Sequence, residues 1–207
     1  LLASNTAGPG NFDALGAAAG FFNPNGVASD SAGNVYVADT GSHTIRRITP
    51  AGVVSTVAGL SGQSGTADGN GTAARFNNPA GIAINAAGDL YVADTGNSVI
   101  RRVTPAGAVS TFARNPEPPA GDNPPTVIWF VSPVGLAVHG AGNVYVADSV
   151  DHTILKVTSS GVISRLAGSP GLAGNTNGTG SVARFNVPSG VASDAAGNVY
   201  VADSANH

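Results

Sequence analysis

The chain contains one sequence segment four times, and this repeat constrains its fold more than any other feature. The copies run from Pro24 to Asp39, Pro79 to Asp94, Pro133 to Asp148 and Pro188 to Asp203. Their tyrosines, Tyr36, Tyr91, Tyr145 and Tyr200, are separated by 55, 54 and 55 residues. A period of this length is typical of a structural unit that buries its apolar surface by stacking against its neighbours.

Short apolar runs separated by turn residues give each unit the pattern of an antiparallel meander. We name the four predicted strands of a unit a, b, c and d in chain order. Strand a is predicted at 26–29, 81–84, 135–138 and 190–193, strand b at 35–38 and its three copies, strand c at 44–49, 99–104 and 153–158, and strand d at 53–58, 108–113 and 162–167. Ala-Gly-Asn or Ala-Gly-Asp joins a to b, where glycine can take the positive φ of a tight reversal. The pattern predicts an all-β propeller of four-stranded antiparallel blades, with three complete blades and an incomplete fourth.

The residue types along the strands indicate how the blades pack. Strand a has a small residue where the inner strands crowd, at Ala28, Ala83, Ala137 and Ala192. The tyrosine of strand b then has room to fill the wedge between blades. Charge is expected only on the outer strands, and six cations fall on c or d: Arg46, Arg47, Arg101, Arg102, Lys156 and Arg165.

The segment that follows strand b resembles a known family. It reads Asp-Thr-Gly-Ser-His-Thr-Ile from Asp39 and Asp-Ser-Ala-Asn-His from Asp203. These segments resemble the NHL repeat, named for its Asn-His-Leu signature, and the resemblance covers essentially the whole chain. Ser42, Ser98 and Asp151 depart from the signature, which leaves the fold prediction unchanged. The long connectors between units are similar to those of large secreted or surface NHL proteins of bacteria.

The ends of the chain are out of phase with the repeat. Residues 1–3 align with a strand d, residues 188–207 supply only strands a and b, and the chain has no methionine. The repeat units are 24–78, 79–132, 133–187 and 188–207, and 1–23 is the end of a preceding repeat. We expect residues 1–207 to be a single propeller domain or, as the missing strand favours, a segment of a larger propeller.

Composition excludes several classes of protein. Because the chain has no cysteine, it has no disulfide scaffold, cysteine nucleophile or zinc–cysteine site. Its longest strongly apolar run, residues 127–131, is far short of the roughly 20 residues of a transmembrane helix. A net charge of −3 gives no basic field for a polyanion, so a nucleic acid partner is not expected.

Several repeated polar positions suggest metal binding but are better interpreted as structural. The aspartates Asp39, Asp94, Asp148 and Asp203 each end strand b, where an Asp before a turn accepts backbone N–H bonds. His43, His152 and His207 share one position, but they belong to hairpins of different blades. A position repeated in every blade usually serves the blade. We predict structural roles for these aspartates, for His43 and His152, and for the four tyrosines.

The sequence has no recognisable catalytic motif. It lacks a nucleophile elbow, a P-loop and HExxH, and Glu117 is its only glutamate. Lyases and lactonase-like enzymes with similar propellers are expected to place metal ligands in the central channel, where this chain has small or apolar residues. Asp68-Gly-Asn-Gly resembles part of a calcium loop, although Asp13, Asp68 and Asn177 suit caps of a short helical turn better. We predict no catalytic residue, metal ligand or cofactor, and leave calcium as the alternative.

The connector before the third unit differs from the others. Residues 114–125 are rich in proline, and the only tryptophan, Trp129, stands where Arg75 and Arg184 stand in the neighbouring connectors. A partly exposed tryptophan on a rigid loop is typical of a recognition anchor, and local repacking of the loop is the alternative. Trp129, Arg75 and Arg184 are therefore the candidate binding residues.

These observations favour a noncatalytic NHL propeller scaffold that binds a protein or a surface glycan, or that assembles with copies of itself. The charge-poor, cysteine-free composition suits an extracellular or cell-surface protein. Two alternatives remain, a metal-dependent lyase or lactonase-like propeller enzyme and a self-assembling filament or surface-layer component.

Overall fold

The computed structural model describes residues 10–116, 128–140 and 142–207. Its strands are β1 (Pro24–Ser29), β2 (Val35–Asp39), β3 (Thr44–Ile48), β4 (Val54–Ala58), β5 (Gly69–Asn70), β6 (Pro79–Ile84), β7 (Leu90–Asp94), β8 (Val99–Val103), β9 (Ala108–Arg114), β10 (Pro133–His139), β11 (Asn143–Asp148), β12 (Thr153–Val157), β13 (Ile163–Gly168), β14 (Pro188–Ser193) and β15 (Val199–Asp203). Every strand a, b, c or d that was predicted within the described residues is present, and its bounds differ by at most two residues from the prediction, whereas β5 was not predicted.

The strands form four antiparallel sheets, which we call blades 1 to 4. Blade 1 contains β1 to β4, blade 2 contains β6 to β9 with β5 added at its outer edge, blade 3 contains β10 to β13, and blade 4 contains β14 and β15. The innermost strands β1, β6, β10 and β14 pack against one another in that order. The all-β propeller fold is therefore confirmed.

Each blade has two unlike faces. On the tyrosine face, the alanine of the inner strand lies across the ladder from the tyrosine, as Ala83 does from Tyr91 in blade 2. The aliphatic face carries branched side chains, such as Leu136 and Val146 in blade 3. The tyrosine face of blade 2 packs on the aliphatic face of blade 3, and that of blade 1 packs on blade 2 in the same way. This contact forms the core between blades.

Glycine lets the inner strands of adjacent blades approach closely. A Cβ on Gly135 of β10 would lie 2.6 Å from the carbonyl oxygen of Ser189 in β14, too close for a real contact. Gly26 and Gly81 face a carbonyl oxygen of the next blade in the same way. The second residue after the proline of strand a is therefore glycine because a side chain there would push the blades apart.

The connectors run along the outer edge of the blade that they enter. Within the connector before blade 2, β5 pairs with β9, so an extra strand covers the edge of that blade. Leu15 forms the corresponding bridge with Val53 at blade 1. Covering the outermost strand protects an edge that would otherwise offer unpaired N–H and C=O groups.

A single turn of 3₁₀ helix lies in three of the connectors, at Gly16–Ala18, Gly71–Ala73 and Gly180–Val182. The predicted short helical turns are therefore confirmed. The predicted capping by Asp13, Asp68 and Asn177 is wrong. The N-cap residues are Leu15, Asn70 and Thr179, and none of them makes a side-chain capping bond.

Two of the sequence predictions lie outside the described residues: the strand at 1–3 and most of the proline-rich connector, at 117–127. Within the described ranges, none of the helices has the length and apolar character needed to cross a membrane.

Candidate functional site

The four aspartates that end strand b tie each blade to the connector that leads into it. They accept backbone N–H bonds from Phe22 (Asp39, 2.7 Å), Asn77 (Asp94, 2.7 Å), Val131 and Ser132 (Asp148, 2.7 and 2.8 Å) and Asn186 (Asp203, 2.6 Å). Asp39, Asp94 and Asp148 are fully buried, and this burial raises the pKa of each carboxyl above its ordinary value. The carboxylates are thus occupied by bonds within the chain.

A buried arginine on strand c extends this link in blade 2. Arg101 Nη1 donates to Asp94 at 3.0 Å and to the carbonyl of Arg75 at 2.9 Å. Its Nη2 donates to Asp68 at 2.6 Å and to the carbonyl of Ala67 at 3.0 Å. The guanidinium also lies 5.3 Å from the ring centroid of Phe76. Arg101 therefore holds the connector against the blade at several points.

Arg46 makes the equivalent set of contacts in blade 1. It donates to Asp39 at 3.2 Å, to Asp13 at 2.7 Å and to the carbonyls of Gly20 and Phe12. The expectation that the outer strands carry the charge is met, but both arginine side chains are fully buried because the connector folds over strand c. An outer position in the blade is therefore not an exposed one.

The acids of the connectors serve these arginines. Asp68 Oδ1 accepts from Arg101 and, at 3.1 Å, from the hydroxyl of Thr111 on strand d. Asp13 joins Arg46 to Thr56 in the same way. Each acid thus links strands c and d to the connector, instead of capping a helical turn.

The repeated histidines also bond within the chain. His43 and His152 have φ of 59° and 56°, in the left-handed region. Their Nδ1 atoms accept the N–H of Asn78 at 3.0 Å and of Val187 at 3.1 Å, and these residues directly precede strand a of the next blade. Among the residues that the structure describes, no three His, Asp or Glu side chains come together as a metal-binding group.

Two of the three candidate binding residues are engaged by their own connectors. Arg75 Nη1 donates to the carbonyls of Thr72 at 2.6 Å and Ala74 at 2.8 Å, and Nη2 donates to Gln63 Oε1 at 3.1 Å. Arg184 donates to the three carbonyls of residues 181–183. Both guanidinium groups satisfy the last carbonyls of a 3₁₀ turn, which leaves them fewer free donors for a ligand.

Trp129 differs from both arginines. Its side chain is partly exposed, and its indole nitrogen is buried without a hydrogen-bond partner in the described part of the chain. The next residue, Phe130, is buried and is held on both sides by Asn115, which accepts the N–H of Phe130 at 2.6 Å and donates to its carbonyl at 2.9 Å. Trp129 lies on the end of the propeller that carries the connectors and the b–c turns, which we call the connector face.

The opposite end, which we call the turn face, carries clefts between successive a–b turns. The clefts have volumes of about 310, 420 and 520 Å³. His139 lines two of them and occupies the position held by Asp30, Asn85 and Asp194 in the other blades. Its Nδ1 lies 3.1 Å from the carbonyl of Asp194 in blade 4. The predicted site residues did not include His139, although its departure from the Asp or Asn of the other repeats is the signal that could have found it.

Sequence comparison shows the family. A family profile described as NHL repeat matches residues 21–48, 76–102, 130–157 and 185–207. These matches cover strands a, b and c of blades 1 to 3 and both strands of blade 4. The chain belongs to the NHL repeat family, as the sequence resemblance predicted.

Two curated relatives are much longer than this chain. It is 30% identical over 233 aligned positions to NHL repeat-containing protein 2 of Bos taurus, covering 96% of this chain and 32% of the relative. It is 39% identical over 95 residues to Protein SUPPRESSOR OF QUENCHING 1, chloroplastic, of Arabidopsis thaliana, covering 45% of this chain and 9% of the relative. The chain thus spans a third or less of either protein.

Solved structures share the fold at low sequence identity. A Bacteroides thetaiotaomicron protein of unknown function has a TM-score of 0.66 at 23% identity, over 87% of this chain and 44% of that one. An auxiliary nutrient binding protein of Bacteroides ovatus has a TM-score of 0.64 at 20% identity, over 91% and 47%. Virginiamycin B lyase of Staphylococcus aureus has a TM-score of 0.56 at 14% identity, over 87% and 63%. A binding protein and an enzyme therefore share this fold.

Proposed function

We propose that this chain acts as a noncatalytic NHL propeller scaffold that binds a protein or a surface glycan through its connector face. The supporting observation is a contrast between repeated and unrepeated side chains. The repeated Asp, His and buried Arg side chains bond to the blades and connectors themselves. Trp129 breaks the repeat and is partly exposed, while its indole nitrogen is buried and has no hydrogen-bond partner in the described residues.

Trp129 has the properties of an anchor. Tryptophan is enriched among residues that carry most of the energy of an interface, since it combines a large apolar surface with one hydrogen-bond donor. Asn115 fixes the backbone of the adjacent Phe130, which restricts the positions that the Trp129 side chain can take before a partner arrives. A pre-positioned side chain loses less conformational entropy on binding. The nutrient-binding protein with a similar fold is consistent with such a role.

The chain offers a direct test because Trp129 is its only tryptophan. We would screen the purified chain against a displayed peptide library and an array of soluble oligosaccharides, then titrate each binder while following tryptophan fluorescence. Trp129→Ala should weaken binding at least about tenfold, the loss expected for an anchor residue. Arg184→Ala, whose guanidinium bonds to its own connector, is the matched control and should bind normally.

The same variants separate binding from packing. If Trp129→Ala binds as the wild type does but unfolds at lower denaturant concentration, Trp129 is a packing residue and the proposed anchor is wrong. If neither library yields a binder whose titration changes the fluorescence, the connector face is not the binding surface.

The enzymatic alternative predicts a bound metal ion, because lyase- or lactonase-like chemistry in this fold was expected to use one. After equilibration with Mg²⁺, Ca²⁺ and Zn²⁺ and removal of free ions, mass spectrometry of the elements should find far less than one ion per chain. One ion per chain would favour the enzyme or, for Ca²⁺ alone, a structural calcium site. The extracellular or cell-surface location and the bacterial surface type remain part of the proposal, and they rest on composition and connector type.

A further inference from the structure

In three of the four blades, a neutral side chain donates a hydrogen bond to the aspartate that ends strand b. Asn97 Nδ2 donates to Asp94 at 2.8 Å in blade 2, and Asn206 Nδ2 donates to Asp203 at 2.6 Å in blade 4. In blade 1 the hydroxyl of Ser42 bonds to the corresponding aspartate. The donor always follows the aspartate by three residues, so this bond between the b–c turn and strand b is part of the repeat.

Blade 3 has an acid at this donor position, because Asp151 follows Asp148 by three residues. An ionised carboxylate only accepts hydrogen bonds, so Asp151 cannot make the bond that the other blades have. Within the described ranges, Asp148 accepts backbone N–H bonds alone, from Val131, from Ser132 and, at 3.4 Å, from Asp151. A carboxyl group that holds a proton has one O–H donor, and this donor can make the missing bond.

The surroundings of the two acids favour a bound proton. The charged or titratable side chains that act most on Asp151 are Arg165, on β13, and the adjacent His152, and both favour its ionised form. From β12, Thr153 contributes only a hydroxyl, which donates to Asp151 Oδ2 at 3.4 Å. Burial outweighs these contacts and raises the pKa of Asp151 above 3.8, and burial together with the charge of Asp151 raises the pKa of Asp148.

From the repeated donor and its replacement in blade 3, we propose that Asp148 and Asp151 share one proton as the pH falls, and that protonated Asp151 then donates to Asp148. The pair would reproduce the bond that Asn97 makes to Asp94. Two adjacent carboxyl groups bind one proton readily, because their like charges repel when both are ionised. Blade 3 is therefore joined to its b–c turn more firmly in acid than at neutral pH. This device is independent of the binding role proposed for Trp129.

The first test compares the wild type with Asp151→Asn, which places the residue of blades 2 and 4 in blade 3. At pH 7 the variant should unfold with an equilibrium constant about fivefold lower, the effect of one added hydrogen bond. The pair holds its proton more tightly in the folded chain, so the wild type gains the bond as the pH falls through the raised pKa toward 3.8. The ratio of the two constants should therefore approach one.

Asp151→Ala is the matched control, because it removes the same charge without supplying a donor. It should lack the stabilisation of Asp151→Asn at pH 7, whereas Asp151→Ser, with the hydroxyl that blade 1 uses, should recover part of it. His152 and Arg165 are common to all of these chains. Equal stability of the Ala and Asn variants would mean that loss of charge alone matters, which would overturn the proposed bond. So would a ratio of wild type to Asp151→Asn that stays constant from pH 7 to 3.8.

The second test follows the proton directly in the wild-type chain, so it does not depend on how well any variant folds. Carbon NMR of labelled aspartate side chains, with Asp151→Asn used to assign the signals, reports the ionisation of each carboxyl as the pH is lowered. Asp148 and Asp151 should titrate together in two steps, the first of them above 3.8. In Asp151→Asn, Asp148 should titrate in a single step. Separate single-step titrations of the two carboxyls in the wild type would show that they share no proton.

Discussion

Blades 2 and 3 have the same four strands and the same packed core, but they are joined to their connectors in different ways. In blade 2, Arg101 on β8 lies across the ladder from Thr111 on β9. In blade 3, Leu155 on β12 lies across from Arg165 on β13, so the arginine is on the other strand. Arg101 is fully buried and bonded to two acids, whereas Arg165 makes no hydrogen bond or ion pair with any residue in the described ranges.

The difference shows that the fold does not depend on one kind of connector contact. Leu155 is fully buried and packs in the same apolar cluster as Tyr91 and Phe130. Apolar packing in blade 3 therefore takes the place of the hydrogen bonds and ion pairs that Arg101 makes in blade 2. Asn115 adds the hydrogen bonds that hold the connector backbone at Phe130. In blade 2 a backbone group, the N–H of Gly65, contacts the equivalent carbonyl of Phe76. The connector with Trp129 is thus the one whose attachment has changed.

The largest effect is expected from removing the buried arginine that joins blade 2 to its connector. Arg101→Met should lower the free energy of unfolding by about 3–5 kcal/mol, because it leaves the buried carboxylate of Asp94 without its cation. Denaturant unfolding measures this change. Arg165→Met is the matched control, since it removes an arginine without hydrogen bonds, and it should cost less than about 1 kcal/mol. Equal losses for the two variants would contradict the comparison between the blades.

A smaller effect is expected from removing the Asn115 side chain, which bonds to the connector backbone before blade 3. Asn115→Ala leaves the N–H and C=O of Phe130 without their partners, and unfolding free energy should fall by about 1–3 kcal/mol. Substituting the exposed neighbour Arg114 by Ala should change it by less than about 0.5 kcal/mol. If Asn115→Ala is as stable as the wild type, the backbone of the connector is held by other contacts.

Much of the fold could be predicted because its signals are local and recur. The Ala-Gly-Asn turns and the apolar runs placed every described strand except β5 within two residues of its observed bounds. The pairing of small alanine with tyrosine could also be inferred, because the spacing repeats in every unit. A signal that occurs four times in one chain distinguishes structural positions from chance.

The contacts of the candidate site could not be predicted in the same way. Arg46 and Arg101 look like surface charges on an outer strand, and only the path of the connector shows that they are buried. The role of Asp68 depends on strands c and d of the following blade, which come about 30 to 40 residues later in the sequence. The packing of His139 on blade 4 likewise depends on how two blades stand side by side. Such long-range contacts leave no local pattern.

The smallest effect concerns the aspartates of the two blades as the pH changes. Asp94 faces Arg101, whereas Asp148 accepts only backbone N–H bonds in the described structure and is close to the like charge of Asp151. Burial is the main cause that raises the pKa of Asp148 above its ordinary value of 3.8. The folded chain therefore holds this proton more tightly than the unfolded chain, and its contribution to stability grows as the pH falls through the raised pKa toward 3.8.

We therefore expect the free energy of unfolding of the wild type, minus that of Asp148→Asn, to rise as the pH falls from 7 through the raised pKa of Asp148. This difference should level off below 3.8. Asp30→Asn should give the opposite sign. Hydrogen bonds from Asn34 lower the pKa of the partly exposed Asp30, so its stabilising contribution is present above 3.8 and is lost as the pH falls through the lowered pKa. Denaturant unfolding at a series of pH values measures both gaps. A constant gap for Asp148→Asn would mean that its carboxyl titrates alike in the folded and unfolded chains, and that blade 3 accommodates the buried charge without the arginine that blade 2 provides.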